Sequence, residues 1–177
     1  INILVLGGSL GAQSLNQVVP SALGTLGKKT DFSVRHQAGK KDVAMVFDAY
    51  QSSHIDARVD TFIDDINKAY NKAELGIARA GALTVSEIAA VGVACVLIPY
   101  PNATDDHQRA NAEWLVNTGG AICIDDDEFT VAKASDVIGE LLTNRSELMA
   151  RGNKISSMAM LDATDIIADA CLRYAYA

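Results

Sequence analysis

Two segments of this chain place glycines and small hydroxyl residues directly after short apolar runs. They are Gly7-Gly8-Ser9-Leu10-Gly11-Ala12, after Asn2 to Leu6, and Arg79-Ala80-Gly81-Ala82-Leu83-Thr84-Val85-Ser86-Glu87, after Leu75. Glycine lets a backbone approach an anion closely, and a helix opening at such a turn offers unpaired N–H groups and the positive end of a dipole. Each segment is therefore a candidate phosphate site, and two in one chain favour a diphosphate-linked ligand. Ser9 adds a hydroxyl donor to the first, and Thr84 can cap a helix or donate in the second. Glu87 has two readings. Three residues after Thr84 it completes a capping box, while a carboxylate this close to a phosphate-binding helix start can also accept both hydroxyls of a ribose.

A third polar segment, Pro99-Tyr100-Pro101-Asn102-Ala103-Thr104-Asp105-Asp106-His107-Gln108, ends at another expected helix start. His107 and Gln108 are the kinds of side chain that grip sugar hydroxyls. His107 alternatively suits a general base or a solvated surface position. A dinucleotide fingerprint, G-x-G-x-x-G followed by an acidic residue ending the second strand, is not met. Ser9 and Ala12 replace its second and third glycines, and the second strand ends in Arg35-His36-Gln37. No His, Cys and carboxylate grouping has metal-ligand spacing, so neither metal nor cofactor is expected. Asp125-Asp126-Asp127-Glu128 reads as a solvated turn.

The elements that must hold these loops alternate in a simple way. Strands are expected at Asn2 to Leu6, Asp31 to His36, Arg58 to Phe62, Leu75 to Arg79, Ala94 to Pro99 and Ala121 to Ile124. Between the first two, Leu15, Val18, Leu23 and Leu26 form a helical stripe that Pro20 should kink or restart. Further helices are expected at Lys41 to Gln51, Ile63 to Lys72, Leu83 to Val91, Asp105 to Asn117 and Val131 to Leu142. After Asn144 the pattern is purely helical, with Asn144-Arg145-Ser146-Glu147 as a capping box and Asp162 capping a last helix towards Arg173. Right-handed crossovers then give an α/β fold, a Rossmann-like doubly wound parallel sheet of about six strands, whose ligands sit beyond the carboxyl ends of the strands.

Composition limits what the ligand and setting can be. The 177 residues are 49% hydrophobic and 21% charged, enough for a globular core and unlike a disordered chain. A net charge of −7 leaves no broad footprint for nucleic acid or an anionic membrane, so any anionic ligand must be held locally. The three cysteines, Cys95, Cys123 and Cys171, stand far apart and suit a reducing compartment. No apolar run approaches the ~20 residues of a membrane span. The chain does not begin with Met and enters a strand at once, so it is expected to be cut from something longer.

The motifs Gly-Gly-Ser-x-Gly-Ala, His36-Gln37-Ala38-Gly39-Lys40, Phe62-Ile63-Asp64-Asp65, Arg79 through Glu87, and Asp106-His107-Gln108 with Asn111-Ala112 occur in the order seen in the MurG family, which the chain resembles over nearly its whole length. That family transfers N-acetylglucosamine to lipid I, giving the peptidoglycan precursor lipid II. It has the GT-B arrangement, two Rossmann-like domains facing across a cleft, and the resemblance implies the carboxyl-terminal, donor-binding half only. Residues 1–177 would be a single UDP-sugar-binding domain, its terminal helices from about residue 144 packing on it or towards a missing amino-terminal domain. Ile166, Ile167, Cys171 or Tyr174 would then be unusually exposed.

The resemblance further implies that Ser9, with Gly8, touches the diphosphate of UDP-N-acetylglucosamine and that the Ile63 backbone meets the uracil edge. Ala82, Leu83 and Thr84 would present helix amides to the phosphates, with Val85, Ser86 and Gly81 also among the residues around the donor. Glu87 would take the ribose hydroxyls, and Gln108, with His107 beside it, the sugar. Arg79 would balance diphosphate charge or form a structural salt bridge. The catalytic base would lie in the missing half, which also carries the lipid I and membrane contacts, so this half alone would be inactive in transfer. The setting implied is the bacterial cytoplasm, with the full-length protein peripheral on the inner membrane. Another GT-B sugar-nucleotide enzyme, or a donor-presenting subunit that needs a partner chain, remain the alternatives.

Overall fold

A computed structural model describes residues 1–8, 11–27, 31–103 and 106–175. Six strands, β1 (Asn2–Leu6), β2 (Ser33–Gln37), β3 (Ala57–Asp60), β4 (Leu75–Ala78), β5 (Ala94–Leu97) and β6 (Ala121–Cys123), form one sheet in the order β3-β2-β1-β4-β5-β6. Every pairing is parallel. This is the expected doubly wound architecture, and the order reverses between β1 and β4, where Leu6 lies in register with Ala78. The chain leaving β1 and the chain leaving β4 therefore emerge side by side at the switch point.

Among the described residues, eight helices accompany the sheet: α1 (Gln13–Leu26), α2 (Val43–Ser52), α3 (Ile66–Tyr70), α4 (Ala82–Val91), α5 (His107–Val116), α6 (Val131–Leu142), α7 (Arg145–Ser156) and α8 (Ala163–Ala175). Alternation along β1 divides the core in two. Ile3 and Val5 face a cluster with Leu15, Val19 and Leu23 of α1 and Ile138 and Leu141 of α6. Leu4 and Leu6 face a second cluster with Tyr70, Val85, Ile88 and Leu115.

Three local expectations are corrected. Helix α1 runs unbroken through Pro20 instead of restarting there. Helix α3 starts at Ile66, not Ile63, because the Asp65 carboxylate accepts the Lys68 N–H and caps it, while the Ile63 N–H is drawn off to the Gln37 side chain, 2.9 Å away. Helix α4 starts after Gly81, so Thr84 lies inside its first turn and the Thr84–Glu87 capping box does not form. The box at Asn144 does form in part, its side chain accepting the Glu147 N–H at 3.0 Å. Helix α8 buries none of its residues. Ile166, Ile167, Leu172 and Tyr174 are exposed, Tyr174 by 88%, and so is Cys171.

Candidate functional site

A cleft of about 690 Å³ opens beyond the carboxyl ends of β1 and β4, lined among others by Gly8, Gly11, Gly81, Thr84, Arg79 and Gln108. The two glycine loops thus share one cavity. Gly8 and Gly11 have φ of +78° and +79°, and a Cβ on Gly11 would strike the Ala38 carbonyl oxygen, so this turn demands glycine. Ser9 lies outside the described residues.

Two of the helices that line the cleft, α1 and α4, are left without a side-chain cap. Helix α1 follows Ala12 and α4 follows Gly81, residues with no side-chain acceptor, and neither first turn contains an acidic residue. The first helical bonds are Asn16 N–H to Ala12 and Val85 N–H to Gly81, each 2.9 Å. The amides of Gln13, Ser14 and Leu15, and of Ala82, Leu83 and Thr84, precede those bonds and have no acceptor within their helices. Helices α3, α6 and α7 are capped by Asp65, Thr130 and Asn144, whereas α2 and α5, like α1 and α4, have no side-chain cap bond. Two adjacent uncapped starts concentrate donors and partial positive charge where an anion can reach both.

The expected ligand residues divide by what their atoms are free to do. Val85 gives its N–H to the Gly81 carbonyl and buries its side chain in the core. Leu83 is 81% exposed at the tip of α4, and Ala82 and Ser86 are exposed beside it. Glu87 is half-buried one turn beyond Thr84, and the Tyr70 hydroxyl donates to its Oε2 at 3.0 Å. Ile63 is buried and holds Gln37 through its N–H, so its carbonyl is the group left to meet a base edge in this arrangement. Gln108 accepts the Tyr100 N–H at 2.9 Å through Oε1, which turns its NH2 into the free donor. His107 is exposed as the first residue of α5.

Arg79 resolves its two readings towards structure. One guanidinium nitrogen meets Asp126 Oδ1 at 2.6 Å and donates to the carbonyls of Ile98 and Pro99; the other donates to Ser14 Oγ at 2.9 Å. Ser14 in turn donates to Asp126, and the Tyr100 ring covers the guanidinium at 5.5 Å. The acidic run after β6 is a turn with Asp127 and Glu128 exposed, but its first two carboxylates are engaged: Asp126 pairs with Arg79 and Asp125 with Arg109. Among the described residues no group of His, Cys and carboxylate side chains converges as a metal would require. No described helix is long and apolar enough to cross a membrane.

A second polar network lies beneath the first loop. Asn16 donates through Nδ2 to the Ala38 carbonyl and to Asp42, each at 2.9 Å, so its Oδ1 faces the fully buried His36. His36 therefore donates from Nε2, and its Nδ1 accepts the Tyr50 hydroxyl at 3.0 Å. Burial pushes the His36 pKa down to about 3 and raises that of Tyr50, so both stay neutral.

Comparison with known proteins places this geometry in a family. The sequence model of the glycosyltransferase family 28 C-terminal domain matches residues 2–167. The chain belongs to that family. Within it, the chain is similar to the UDP-N-acetylglucosamine--N-acetylmuramyl-(pentapeptide) pyrophosphoryl-undecaprenol N-acetylglucosamine transferases of Methylococcus capsulatus, 43% identical over 98% of the chain, and Shewanella oneidensis, 42% identical over 99%. The crystal structure of Acinetobacter baumannii MurG superposes on 97% of the chain with a TM-score of 0.91 at 38% identity. The chain spans about half the length of each of these proteins, 49% in all three cases. The resemblance to MurG read from the motifs is borne out, and the six-stranded parallel sheet of this family 28 domain is that of the carboxyl-terminal half of a GT-B glycosyltransferase.

Proposed function

We propose that this family 28 domain binds UDP-N-acetylglucosamine and serves as the donor half of an inverting transferase that converts lipid I to lipid II. The observation that carries the reading is the pair of uncapped helix starts, α1 and α4, opening on one cleft at the switch point. The diphosphate bridges the two tips. Glu87 lies one turn further along α4, where it accepts the ribose hydroxyls, and the Ile63 carbonyl meets the imino N–H of uracil. Gln108 offers its NH2 to the sugar.

When the acceptor hydroxyl attacks the anomeric carbon, the departing UDP gains negative charge. The amides of Gln13 to Leu15 and Ala82 to Thr84 stabilise that charge without reorganising. No base for the acceptor is assigned in this chain. It comes from the other half of the cleft, together with the lipid I and membrane contacts, and the exposed apolar residues of α8 pack towards that half. The full-length protein then works on the cytoplasmic face of the membrane, and this domain alone binds donor without transferring it.

Calorimetric titration with UDP-N-acetylglucosamine tests the reading. Binding is expected, with UDP-galactose competing poorly, and Glu87→Ala weakens it roughly tenfold or more, as loss of a charge-assisted hydrogen-bond acceptor does. Equal affinity of both proteins removes Glu87 from the site, and no binding at all removes the donor function.

A further inference from the structure

We propose that Tyr70 is a positioning residue for ribose recognition, its hydroxyl holding the Glu87 carboxylate in the one orientation that can accept a sugar hydroxyl. The inference rests on the reading of Glu87 as the ribose acceptor and adds what makes that glutamate selective. Glu87 has no cation one turn away on α4: Leu83, Thr84, Ala90 and Val91 occupy the i±3 and i±4 positions. Its side-chain partner comes instead from α3, where the Tyr70 hydroxyl reaches Oε2 at 3.0 Å.

The tyrosine is fixed by packing. It is 1% exposed and belongs to the core cluster of Leu4, Leu6, Ile63 and Val85, so the position of its oxygen is set by the sheet and not by a mobile side chain. Its short helix is anchored at the start by the Asp65 cap. Burial and the adjacent carboxylate push the Tyr70 pKa upward, so the hydroxyl keeps its proton and remains a donor.

An ionised carboxylate only accepts hydrogen bonds. With one acceptor site of Oε2 taken by Tyr70, Oε1 and the other lone pair of Oε2 remain to accept from hydroxyl donors. A free glutamate has several rotamers, and a ligand that must freeze them binds more weakly. The same arrangement links two parts of the site: Ile63 precedes α3 and Tyr70 ends it, so the chain that presents the base-binding carbonyl also sets the ribose acceptor.

Tyr70→Phe removes one oxygen and keeps the buried ring. Titrations of the whole chain with UDP and with 2′-deoxy-UDP separate the roles. The unaltered chain is expected to prefer UDP, and Glu87→Gln to lose that preference. Tyr70→Phe should lower the preference about fivefold, in line with one charge-assisted hydrogen bond, while 2′-deoxy-UDP binds as before. A Phe variant that retains the full preference, or that weakens both ligands equally, overturns the positioning role while leaving the Glu87 reading intact. If the unaltered chain and Glu87→Gln both fail to discriminate, the Glu87 reading falls and the proposal with it. Should Tyr70→Phe not fold, 3-fluorotyrosine at position 70 reads the same contact by fluorine resonance. A shift on adding UDP but not 2′-deoxy-UDP supports the proposal, and identical responses to both overturn it.

Discussion

Arg79 lines the cleft yet has little left to give a phosphate, because its donors already go to Asp126, Ser14 and two carbonyls. Its side chain is 15% exposed and that of Asp126 23%, so removing the cation strands a mostly buried carboxylate. Arg79→Ala should cost about 1–3 kcal/mol in urea unfolding, below the range for a fully buried pair. Affinity for UDP should fall only severalfold, through the displaced loops. An Arg79→Ala protein as stable as the original but unable to bind UDP would make Arg79 a direct ligand. His36 yields a prediction of a different kind. Its folded pKa of about 3 lies below the unfolded value of 6.5, so below pH 6.5 the unfolded chain takes up a proton that the folded one refuses. The stability this histidine contributes is complete above pH 6.5 and is lost as pH falls towards 3, at up to about 1.4 kcal/mol per pH unit. Urea midpoints at pH 7, 5.5 and 4.5 should drop more steeply for the natural sequence than for His36→Gln; parallel lines would show that the imidazole does not stay neutral in the fold.

Among the elements, α4 offers a test in which stability and binding move in opposite directions. Gly81 has an extended backbone, φ −65° and ψ 146°, and a Cβ there would find only Thr84 Oγ1, 3.9 Å away. Gly81→Asp therefore fits, and its carboxylate can cap α4, adding about 1 kcal/mol. The same carboxylate occupies the amides meant for the diphosphate and repels it, so UDP affinity should fall at least tenfold while the melting temperature rises. A stable variant with undiminished UDP binding would show that the α4 tip does not hold phosphate. How far such elements could be read in advance depended on whether their determinants are local. Helix α6 begins and ends where expected because Thr130 caps it from the adjacent position. Helix α3 is shorter because Gln37, 26 residues earlier, claims the Ile63 N–H, a bond that no periodicity encodes. The two glycine loops were legible for the first reason. The partners of Arg79 and Glu87 were not, since Asp126 reaches in from the turn after β6 and Tyr70 from the end of α3.

At the scale of the whole molecule, α8 is the part that the sheet does not explain. A 13-residue helix with no buried side chain gains little from tertiary packing, and isolated helices of about 12–15 residues are marginal in water. Its exposed Ile166, Ile167, Leu172 and Tyr174 are too apolar for a face meant only for solvent, which fits a helix whose partner is the other half of a two-domain transferase. In this chain alone, amides 163–175 should exchange with deuterium within seconds, and ending the chain at Met158 should change unfolding free energy by less than about 0.5 kcal/mol, as for other surface changes. In a full-length relative the matching helix should be protected and its removal should impair folding or transfer. Slow exchange of α8 in this chain at low concentration would mean that the helix is satisfied within the domain. Protection that appears only as concentration rises would identify a second copy as the partner, and either result would remove α8 as the proposed contact with a second domain.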